Sequence, residues 1–519
     1  DGKPSAGQVF PLAAQHVLAA VVGCVTPAIL VANAANNAGG NVDMGLLIQM
    51  SLVFAALSTL LQLYGNKIRI GSGLPVIIGV SFAYVPTMTA IAAQAKSIDT
   101  ILGAMLIGGV IAIIVGLTIK QIRKVFPPLV IGTVIFAIGL SLYKTAINYM
   151  AGNPANTYEL VVEQQGKTPA LVFGSWQNWV VAFVTLAIVV ALNHYGKGLF
   201  KLASILIGLL CGYVLALCFG MVDFSVLSSA GWFQIPKPME FGMKFEISAI
   251  IPLAILFLVN SIQAMGDFSA TTSGGMDRLP TDRELNGGII GYGIGNIISA
   301  FFGCPPTATF SQNVGIVGTT KVISRRVFAT SAGILLVAGL IPKFSALLRT
   351  IPQCVLGGAV VSVFASIAMT GIRLLVTEKL TARNATVAGL SIAIGMGVSL
   401  SGGCLDQMTQ SIHSALNLSM NLENFQAIIN NTFASSPVVL ATIFAVILNL
   451  ILPKEKTTEK EITLSKERII FIKGIKSSRK KGINDETVIQ RRNGSQRGRS
   501  EKDRSFGKRG KDSCGREKS

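Results

Sequence analysis

The stretch TATFSQNVGIVGTTK, Thr307 to Lys321, decides the fold because it interrupts an otherwise apolar pattern. Ser311, Gln312 and Asn313 follow one another here, although the residues on both sides are largely apolar. The preceding PPTATFS begins with proline, contains β-branched threonines and is too short to cross a membrane as a helix. The stretch therefore predicts a short extended strand followed by a half helix that begins near the adjacent amides.

The composition places this stretch inside a membrane protein. The chain has 519 residues, of which 51% are hydrophobic and 13% charged, and its mean hydropathy is +0.59. These values lie far from those of ordinary soluble domains. Twelve apolar segments are predicted to cross the membrane as helices. They are residues 10–33, 44–64, 101–119, 129–143, 176–192, 202–221, 248–265, 287–302, 327–341, 355–369, 385–400 and 438–451.

Two further apolar segments, residues 71–94 and 304–320, are interrupted by polar, proline and glycine residues. Counting each as one broken crossing gives fourteen spans. With the N-terminus inside, the loops predicted to be cytoplasmic carry fifteen Lys and Arg, and the outer loops carry seven. Because short cytoplasmic loops retain positive charge, this distribution favours fourteen crossings with both termini cytoplasmic.

Each interrupted segment is the third crossing when the chain is divided into seven spans plus seven. An odd number of spans per half makes the halves inverted, which is the architecture of many secondary transporters. The predicted fold is therefore an all-α polytopic membrane protein with a 7+7 inverted repeat and short strands in broken spans 3 and 10. GLPVIIGVSF, residues 73–82, supplies the strand of the first half. Paired strands would bring two helix N-termini, which are anion- and carbonyl-binding ends, to a common point.

Two ionisable residues within the spans are candidates for proton coupling, because such groups are costly in a membrane. Asp267 is predicted to end the eighth span, four residues after Gln263 and on the same helix face. The alternative is that Asp267 caps a helix end or hydrogen-bonds to nearby serines. His16 lies near the start of the first span, where a packed, hydrogen-bonded structural role is favoured over a proton relay.

Gln312 is the strongest candidate for ligand contact. A Gln side chain offers donors and an acceptor, so it can bind the edge of a nucleobase in a bidentate manner. The alternative is that the two adjacent amides cap the half helix, although only Asn is favoured as a cap.

Other features exclude function classes. The seven cysteines lack metal-ligand spacing, and HExxH, GxSxG and paired intramembrane carboxylates are missing, so neither an enzyme nor a metal site is expected. Residues 453–519 hold 21 Lys and Arg against 10 Asp and Glu. We interpret them as a disordered cytoplasmic tail that meets anionic lipid, not nucleic acid. Residues 1–9 are a short N-terminal segment.

QNVGIVGTTK, residues 312–321, resembles the signature of the nucleobase–ascorbate transporters, the nucleobase:cation symporters. The signature is Gln, Glu or Pro, then Asn, any residue, Gly, four variable positions, Thr, and Arg, Lys or Gly. Further similar motifs are QH in the first span, SFAYVPTM, FPPLVIG and GDFSATT, so the resemblance covers nearly all of residues 10–452.

The resemblance implies a core domain (residues 10–120 and 246–348) and a gate domain (residues 126–222 and 350–452) that work by elevator-type alternating access. It also implies a homodimer formed through the gate domain in the plasma or inner membrane. Gln at the first signature position is typical of xanthine and urate carriers, whereas Glu is typical of uracil carriers. A uracil permease and, less well, an inorganic-anion exchanger of the same fold remain alternatives.

The resemblance also assigns site residues. The nucleobase would contact Gln312, Ser311, Asn313 and Gln263 and would stack on Phe82, which follows Ser81. Gly315, Thr320 and Lys321 complete the motif. The family usually has Glu where this chain has Gln263, and Gln cannot take a proton. No cofactor is expected; proton coupling would rest on Asp267 or His16, with sodium coupling or uncoupled transport as alternatives.

Overall fold

The structure is a computed structural model that describes residues 4, 6–416 and 421–453. The described helices and strands belong to one compact unit that ends at Leu452. Apart from Pro453, the basic tail predicted from the sequence lies outside the described residues.

Helices dominate the described part of the chain. Its first half contains α1 (Ala6–Asn37), α2 (Met44–Tyr64), α3 (Val85–Ala95), α4 (Asp99–Leu117), α5 (Ile119–Val125), α6 (Pro128–Ser141), α7 (Tyr143–Met150), α8 (Trp176–Tyr195), α9 (Leu199–Leu202), α10 (Ser204–Cys218) and α11 (Ser225–Ser229). Its second half contains α12 (Ile247–Met276), α13 (Asp282–Phe301), α14 (Ser311–Thr320), α15 (Arg325–Leu340), α16 (Pro342–Arg349), α17 (Gln353–Leu375), α18 (Ala382–Leu400), α19 (Asp406–Ala415), α20 (Leu422–Ile429) and α21 (Pro437–Ile451). Short 3₁₀ turns lie at Gly65–Ile68, Phe82–Tyr84 and Pro169–Leu171, and π-helical turns at Glu159–Gln164 and Asn430–Ala434.

Several helices have the length and apolar character of membrane spans. Among the described residues, seven helices meet this condition, and the count rises to nine if two bent helix pairs are each one span. The pairs are α15 with α16, bent by 81°, and α20 and its π-turn with α21, bent by 70°. The chain is therefore a multi-pass, mostly helical membrane protein.

Two short strands form the centre of the fold. β1 (Ile78–Val80) and β2 (Thr307–Thr309) lie in the two interrupted segments and pair antiparallel, with Gly79 opposite Ala308. All six strand residues are buried. Helices α1 and α2 pack against β1, and α12 and α13 pack against β2. Burial by surrounding protein is the condition under which non-helical backbone is tolerated within a membrane.

Gly79 permits the closest approach in this centre. A Cβ atom at this position would lie 2.6 Å from Cys24 Sγ and 2.6 Å from the ring of Phe310. Any larger residue would separate the strand pair from α1 or from Phe310, the residue just before α14. The absence of a side chain at Gly79 therefore sets the spacing of the two interrupted segments.

Helix α12 is longer than the sequence predicted. Asp267 does not lie at a helix end, because α12 continues for nine residues to Met276. The apolar pattern fades after Met265, but the hydroxyls of Ser269 and Thr271 donate to carbonyls one turn earlier. These bonds satisfy the hydroxyl groups of the last turns within the helix. Asp267 is buried and accepts hydrogen bonds from Thr309 and Ser311, so it faces the protein interior instead of water.

Candidate functional site

The first three side chains of α14 point in three directions. Phe310 occupies the position before the helix, so neither Gln312 nor Asn313 is its cap, and that alternative is wrong. Successive residues of a helix are rotated by about 100°. Ser311 accordingly reaches α12, Asn313 reaches α1, and Gln312 reaches neither.

Asp267 is the buried carboxylate of this arrangement, with 7% of its surface exposed. Its Oδ2 atom accepts a hydrogen bond from the Thr309 hydroxyl at 2.5 Å, and its Oδ1 atom accepts one from the Ser311 hydroxyl at 2.8 Å. One donor ends β2 and the other begins α14. A single carboxylate of α12 thus holds both sides of the junction between strand and half helix.

His16 and Asn313 form a second buried contact between helices. The Asn313 side-chain nitrogen lies 3.1 Å from His16 Nδ1 and donates to the His16 backbone carbonyl at 3.0 Å. The imidazole ring also packs on Phe328, with centroids 4.3 Å apart. These contacts fit the packed structural role for His16. Asn313 Oδ1 is buried without a partner in the described part of the chain.

Gln312 and Gln263 differ from their polar neighbours. Both are partly exposed, and the side chains of both lack hydrogen-bond partners among the described residues. Gln263 borders a small, otherwise apolar pocket between α12 and α6. Amides with unused donors and acceptors at a partly open position are available to a ligand.

Phe82 and Ser81 lie at the corresponding turn of the first segment. Ser81 Oγ accepts a hydrogen bond from the Ala83 N–H at 3.2 Å, so Ser81 caps the 3₁₀ turn that begins at Phe82. The Phe82 ring is 7% exposed and meets Phe364 of α17 edge to face at 5.1 Å. Ser81 therefore has a local structural role in addition to the predicted ligand contact.

Two glycines show open space beside the site. A Cβ atom added at Gly266 of α12 or at Gly315 of α14 would meet no atom within 4 Å. Gly266 follows Gln263 by one turn, and Gly315 follows Gln312 by one turn. The two unpartnered glutamines thus lie close to unfilled volume.

The remaining motif residues end α14. Thr320 Oγ1 donates to the Ile316 carbonyl at 2.7 Å. The backbone of Lys321 has the left-handed helical conformation, with φ of 58°. Its ammonium group lies 3.0 Å from Asp277 Oδ1, at the end of α12. The Thr320 bond lies within α14, whereas the Lys321–Asp277 pair joins the ends of α14 and α12, the two helices that carry the candidate site.

Sequence reasoning missed Asn296, which lies in α13. Its Oδ1 accepts a hydrogen bond from the Thr307 N–H at 2.8 Å, and its Nδ2 donates to the Thr307 carbonyl at 3.2 Å. The side chain thus pairs with the outer edge of β2 like a third strand. The signal available in the sequence was an asparagine within the predicted span 287–302, and the structure shows that it is fully buried.

A separate cavity of about 670 Å³ contains none of the predicted site residues. Two of its arginines already have partners: Arg278 forms an ion pair with Glu284, and Arg325 Nε donates to the Gly73 carbonyl at 3.1 Å. Because the unpartnered amides are elsewhere, we place the candidate site at the start of α14.

The arrangement offers neutral hydrogen-bonding groups, one aromatic ring and one carboxylate. The backbone N–H groups of Ser311 and Gln312 also lack partners within the described ranges, as expected at a helix N-terminus. Such a set is suited to a planar polar ring with several carbonyl and N–H groups.

Comparisons with known proteins agree with this chemistry. Xanthine permease XanQ of Escherichia coli strain K12 is 30% identical over 466 residues, which cover 87% of this chain and 93% of XanQ. Uric acid permease PucJ of Bacillus subtilis strain 168 is 34% identical over 431 residues, which cover 82% of this chain and 93% of PucJ.

Solved structures show the same fold at low identity. The transmembrane domain of the cyanobacterial bicarbonate transporter BicA is 17% identical, with a TM-score of 0.53, and the match covers 84% of this chain and 97% of that domain. Murine Slc26a9, an anion transporter in the inward-facing state, is 12% identical, with a TM-score of 0.54 and coverage of 87% and 69%.

A family model described as "Permease family", Xan_ur_permease, matches residues 7–402. The match spans both interrupted segments, the α12 carboxylate and the α14 signature. This chain therefore belongs to that permease family and is a transporter, not an enzyme.

Proposed function

We propose that the chain transports a purine nucleobase, xanthine or urate or both, into the cell. The observation that carries the proposal is the pair of unpartnered amides, Gln312 and Gln263, beside open space in a permease-family chain. Similarity to permeases for xanthine and uric acid at 30% and 34% identity supports the choice of purine.

The binding mode follows from the site groups. The Gln312 amide pairs with a donor and an acceptor on one edge of the purine. The free N–H groups at the start of α14 bind a purine carbonyl or the negative charge of urate. The Phe82 ring packs against a face of the base, for which stacking is worth about 1–3 kcal/mol.

Proton symport is the proposed coupling, with Asp267 as the proton carrier. Both carboxylate oxygens accept a hydroxyl hydrogen bond, so protonation of either oxygen makes it a donor, removes the negative charge and weakens the bond that it accepts. The affected partners, Thr309 and Ser311, flank the turn that precedes Gln312. Protonation of Asp267 thereby changes the position of the Gln312 amide that binds the purine. Sodium coupling is the alternative, because Gln263 cannot be protonated.

The proposed architecture has fourteen spans in a 7+7 inverted repeat, with both termini cytoplasmic in the plasma or inner membrane. Residues 10–120 and 246–348 form the core, and residues 126–222 and 350–452 form the gate of an elevator. Mutual packing of α6, α7, α8 and α17 supports a separate gate body, as does packing of α2, α4, α13 and α15 within the core. A homodimer through the gate is part of this proposal.

Uptake of radiolabelled xanthine and urate by cells expressing the full chain tests the substrate. We expect uptake that unlabelled xanthine or urate abolishes and uracil does not. Gln312→Ala should lose uptake while it reaches the membrane in parental amount. Gln407→Ala, at an exposed position in α19, is the matched control and should transport normally. Unimpaired xanthine and urate uptake by Gln312→Ala would overturn the assignment.

The same assay separates the alternatives. Competition by uracil alone would identify a uracil permease. The fold shared with bicarbonate and anion transporters makes an anion exchanger the second candidate, and flux driven by chloride, bicarbonate or sulfate would reveal it. Uptake driven by an inward proton gradient in sodium-free buffer supports Asp267-based coupling, whereas a strict sodium requirement contradicts it.

A further inference from the structure

Two buried tyrosines whose hydroxyl groups meet are not among the residues predicted for the site. Tyr84 ends the 3₁₀ turn Phe82–Tyr84, and its hydroxyl oxygen lies 2.5 Å from that of Tyr292 in α13. Tyr84 is fully buried and Tyr292 is 2% exposed. A hydrogen bond in such an interior is directional, so it fixes the point at which the turn meets α13.

Close packing holds the two rings. Phe257 of α12 lies 5.1 Å from the Tyr84 ring and 5.8 Å from the Tyr292 ring. The Phe257 ring packs directly on α4 at Gly108, where an added Cβ atom would lie only 2.2 Å from the ring. It therefore has no space to move away from the tyrosines. Neither tyrosine can therefore swing toward another partner without moving a helix.

Asn260 is a further polar group at this position, one turn after Phe257. Its Nδ2 donates to the Leu256 carbonyl of its own helix at 3.0 Å. Its Oδ1 is buried without a partner among the described residues. One buried acceptor near the tyrosines is thus already unpaired. Loss of either tyrosine hydroxyl would leave the other hydroxyl as a second buried polar group without a partner.

Helix α13 binds both interrupted segments within one helical turn. Tyr292 contacts Tyr84 in the first segment, and Asn296, four residues later, brackets the backbone of Thr307 in the second. Asn296 Nδ2 also donates to the Tyr292 carbonyl at 2.9 Å, which ties the two contact points together. The same turn of α13 therefore sets the relative position of the two turns that carry the site.

We propose that Tyr84 and Tyr292 are positioning residues of the purine site. Their hydrogen bond places the Phe82 ring relative to the Gln312 amide, because Phe82 and Tyr84 share one 3₁₀ turn and β2 leads directly into α14. Neither tyrosine touches the substrate. This inference rests on the proposed purine transport and adds the element that aligns its two binding groups.

The test compares KM and Vmax of xanthine uptake for Tyr84→Phe, Tyr292→Phe and the double variant, with membrane amounts measured for each. Each single change removes the same hydrogen bond, so each should raise KM about tenfold, the size expected for one buried bond. The double variant should be no worse than the worse single variant. A parental KM in the double variant, or effects that multiply to about a hundredfold, would overturn the inference.

A second cycle asks whether the pair acts through Phe82. In a Phe82→Leu background, which keeps an apolar side chain, Tyr84→Phe should change KM less than about twofold, since the ring to be positioned is gone. An equal tenfold effect in both backgrounds would contradict the inference. A merely destabilising change would lower membrane amount and Vmax in both backgrounds alike.

Tyr213→Phe is the matched control. It removes a part-buried hydroxyl that bonds Thr350 at 2.7 Å, far along the chain from α13 and α14, and should leave KM unchanged. If the parent took up no purine at normal membrane amount, the proposed function would fail by itself. The same KM ratios would then be measured with the base that the parent does transport, and they decide the positioning role independently.

Discussion

The first interrupted segment, which contains β1 and α3, presents an aromatic ring at its turn, whereas the second, which contains β2 and α14, presents three polar side chains at the same place. The backbone plan is the same in both: a three-residue strand, a turn and a short helix. In the proposed binding mode, the first segment supplies an apolar ring, Phe82, and the second supplies an amide, Gln312, while Ser311 and Asn313 are bonded within the protein.

The two half helices are also anchored differently. Thr87 of α3 donates to the Ser436 hydroxyl at 2.8 Å, and Asn431 donates to Gln94 of α3 at 2.7 Å, so α3 is bonded to the C-terminal helices. By contrast, Ser311 and Asn313 of α14 bond to α12 and α1. The first half helix faces the helices proposed to form the gate, and the second is held within the proposed core.

Removal of the carboxylate that anchors the second segment should have the largest effect. Asp267→Ala leaves the hydroxyls of Thr309 and Ser311 without their acceptor in a buried place. Each unpaired group costs about 1–3 kcal/mol when buried, so the junction before Gln312 should lose its fixed position. Because the variant also lacks the proposed proton carrier, purine uptake per amount of membrane protein should fall more than about a hundredfold. Asp223→Ala, at an exposed loop carboxylate, should be silent; uptake within about tenfold of parental in Asp267→Ala would contradict the anchoring role.

A pair of glycine substitutions contrasts the packing of the two segments. Gly79→Ala in β1 drives a methyl group into Cys24 and Phe310, and overpacking of this kind costs about 1–3 kcal/mol. Gly315→Ala in α14 meets no atom within 4 Å. We expect Gly79→Ala to lower the thermal midpoint of the detergent-solubilised protein and its membrane amount, and Gly315→Ala to leave both unchanged. Equal stability of the two variants would show that the first segment is not tightly packed.

Loss of the aromatic surface should have an intermediate effect confined to binding. Phe82→Leu keeps an apolar contact with Phe364 but removes the face for the base. Because stacking on an aromatic ring contributes about 1–3 kcal/mol, KM for xanthine should rise roughly five- to fiftyfold. Vmax should change less, since Gln312 and Asp267 are untouched. Phe183→Leu, at an exposed position of α8, is the control, and an unchanged KM in Phe82→Leu would remove Phe82 from the site.

The smallest effect is expected at the far end of the second segment. Lys321 pairs with Asp277 in an ion pair whose side chains are 52% and 82% exposed, and such pairs contribute about 0–1 kcal/mol. The pair lies nine residues, or roughly 13 Å along the helix axis, from Gln312. Lys321→Met should therefore leave KM for xanthine and urate within about twofold of parental. A change in the ratio of the two KM values would instead give Lys321 a part in substrate selection.

Much of the candidate site could be proposed from the sequence because its parts are local. The polar interruption at Ser311 to Asn313 and the acid at Asp267 are each visible in a short window, whereas Phe82 was proposed only from the family resemblance. The error at Asp267 has a local origin too: the apolar pattern ends near Met265, which resembles the end of a helix, whereas α12 continues to Met276 through Ser and Thr residues that carry no apolar periodicity.

The contacts between distant segments were not predictable. Tyr84 and Tyr292 are separated by 208 residues, and His16 and Asn313 by 297. A tyrosine or asparagine in an apolar span indicates that a hydrogen-bond partner exists, because an unpaired polar group there is unfavourable. The sequence does not indicate which of the many polar residues is that partner.

The sequence alone determined that this chain spans a membrane repeatedly, that two segments are interrupted and that amides lie at the second interruption, since these features follow from composition and from distances of a few residues. Only the tertiary structure decided which amides stay free. The Asn313 amide bonds to His16, and the neighbouring Ser311 hydroxyl bonds to Asp267, while the Gln312 and Gln263 amides keep their hydrogen-bonding groups. The direction of each side chain is set by its position around its own helix, α14 or α12, and by what packs on each side of that helix.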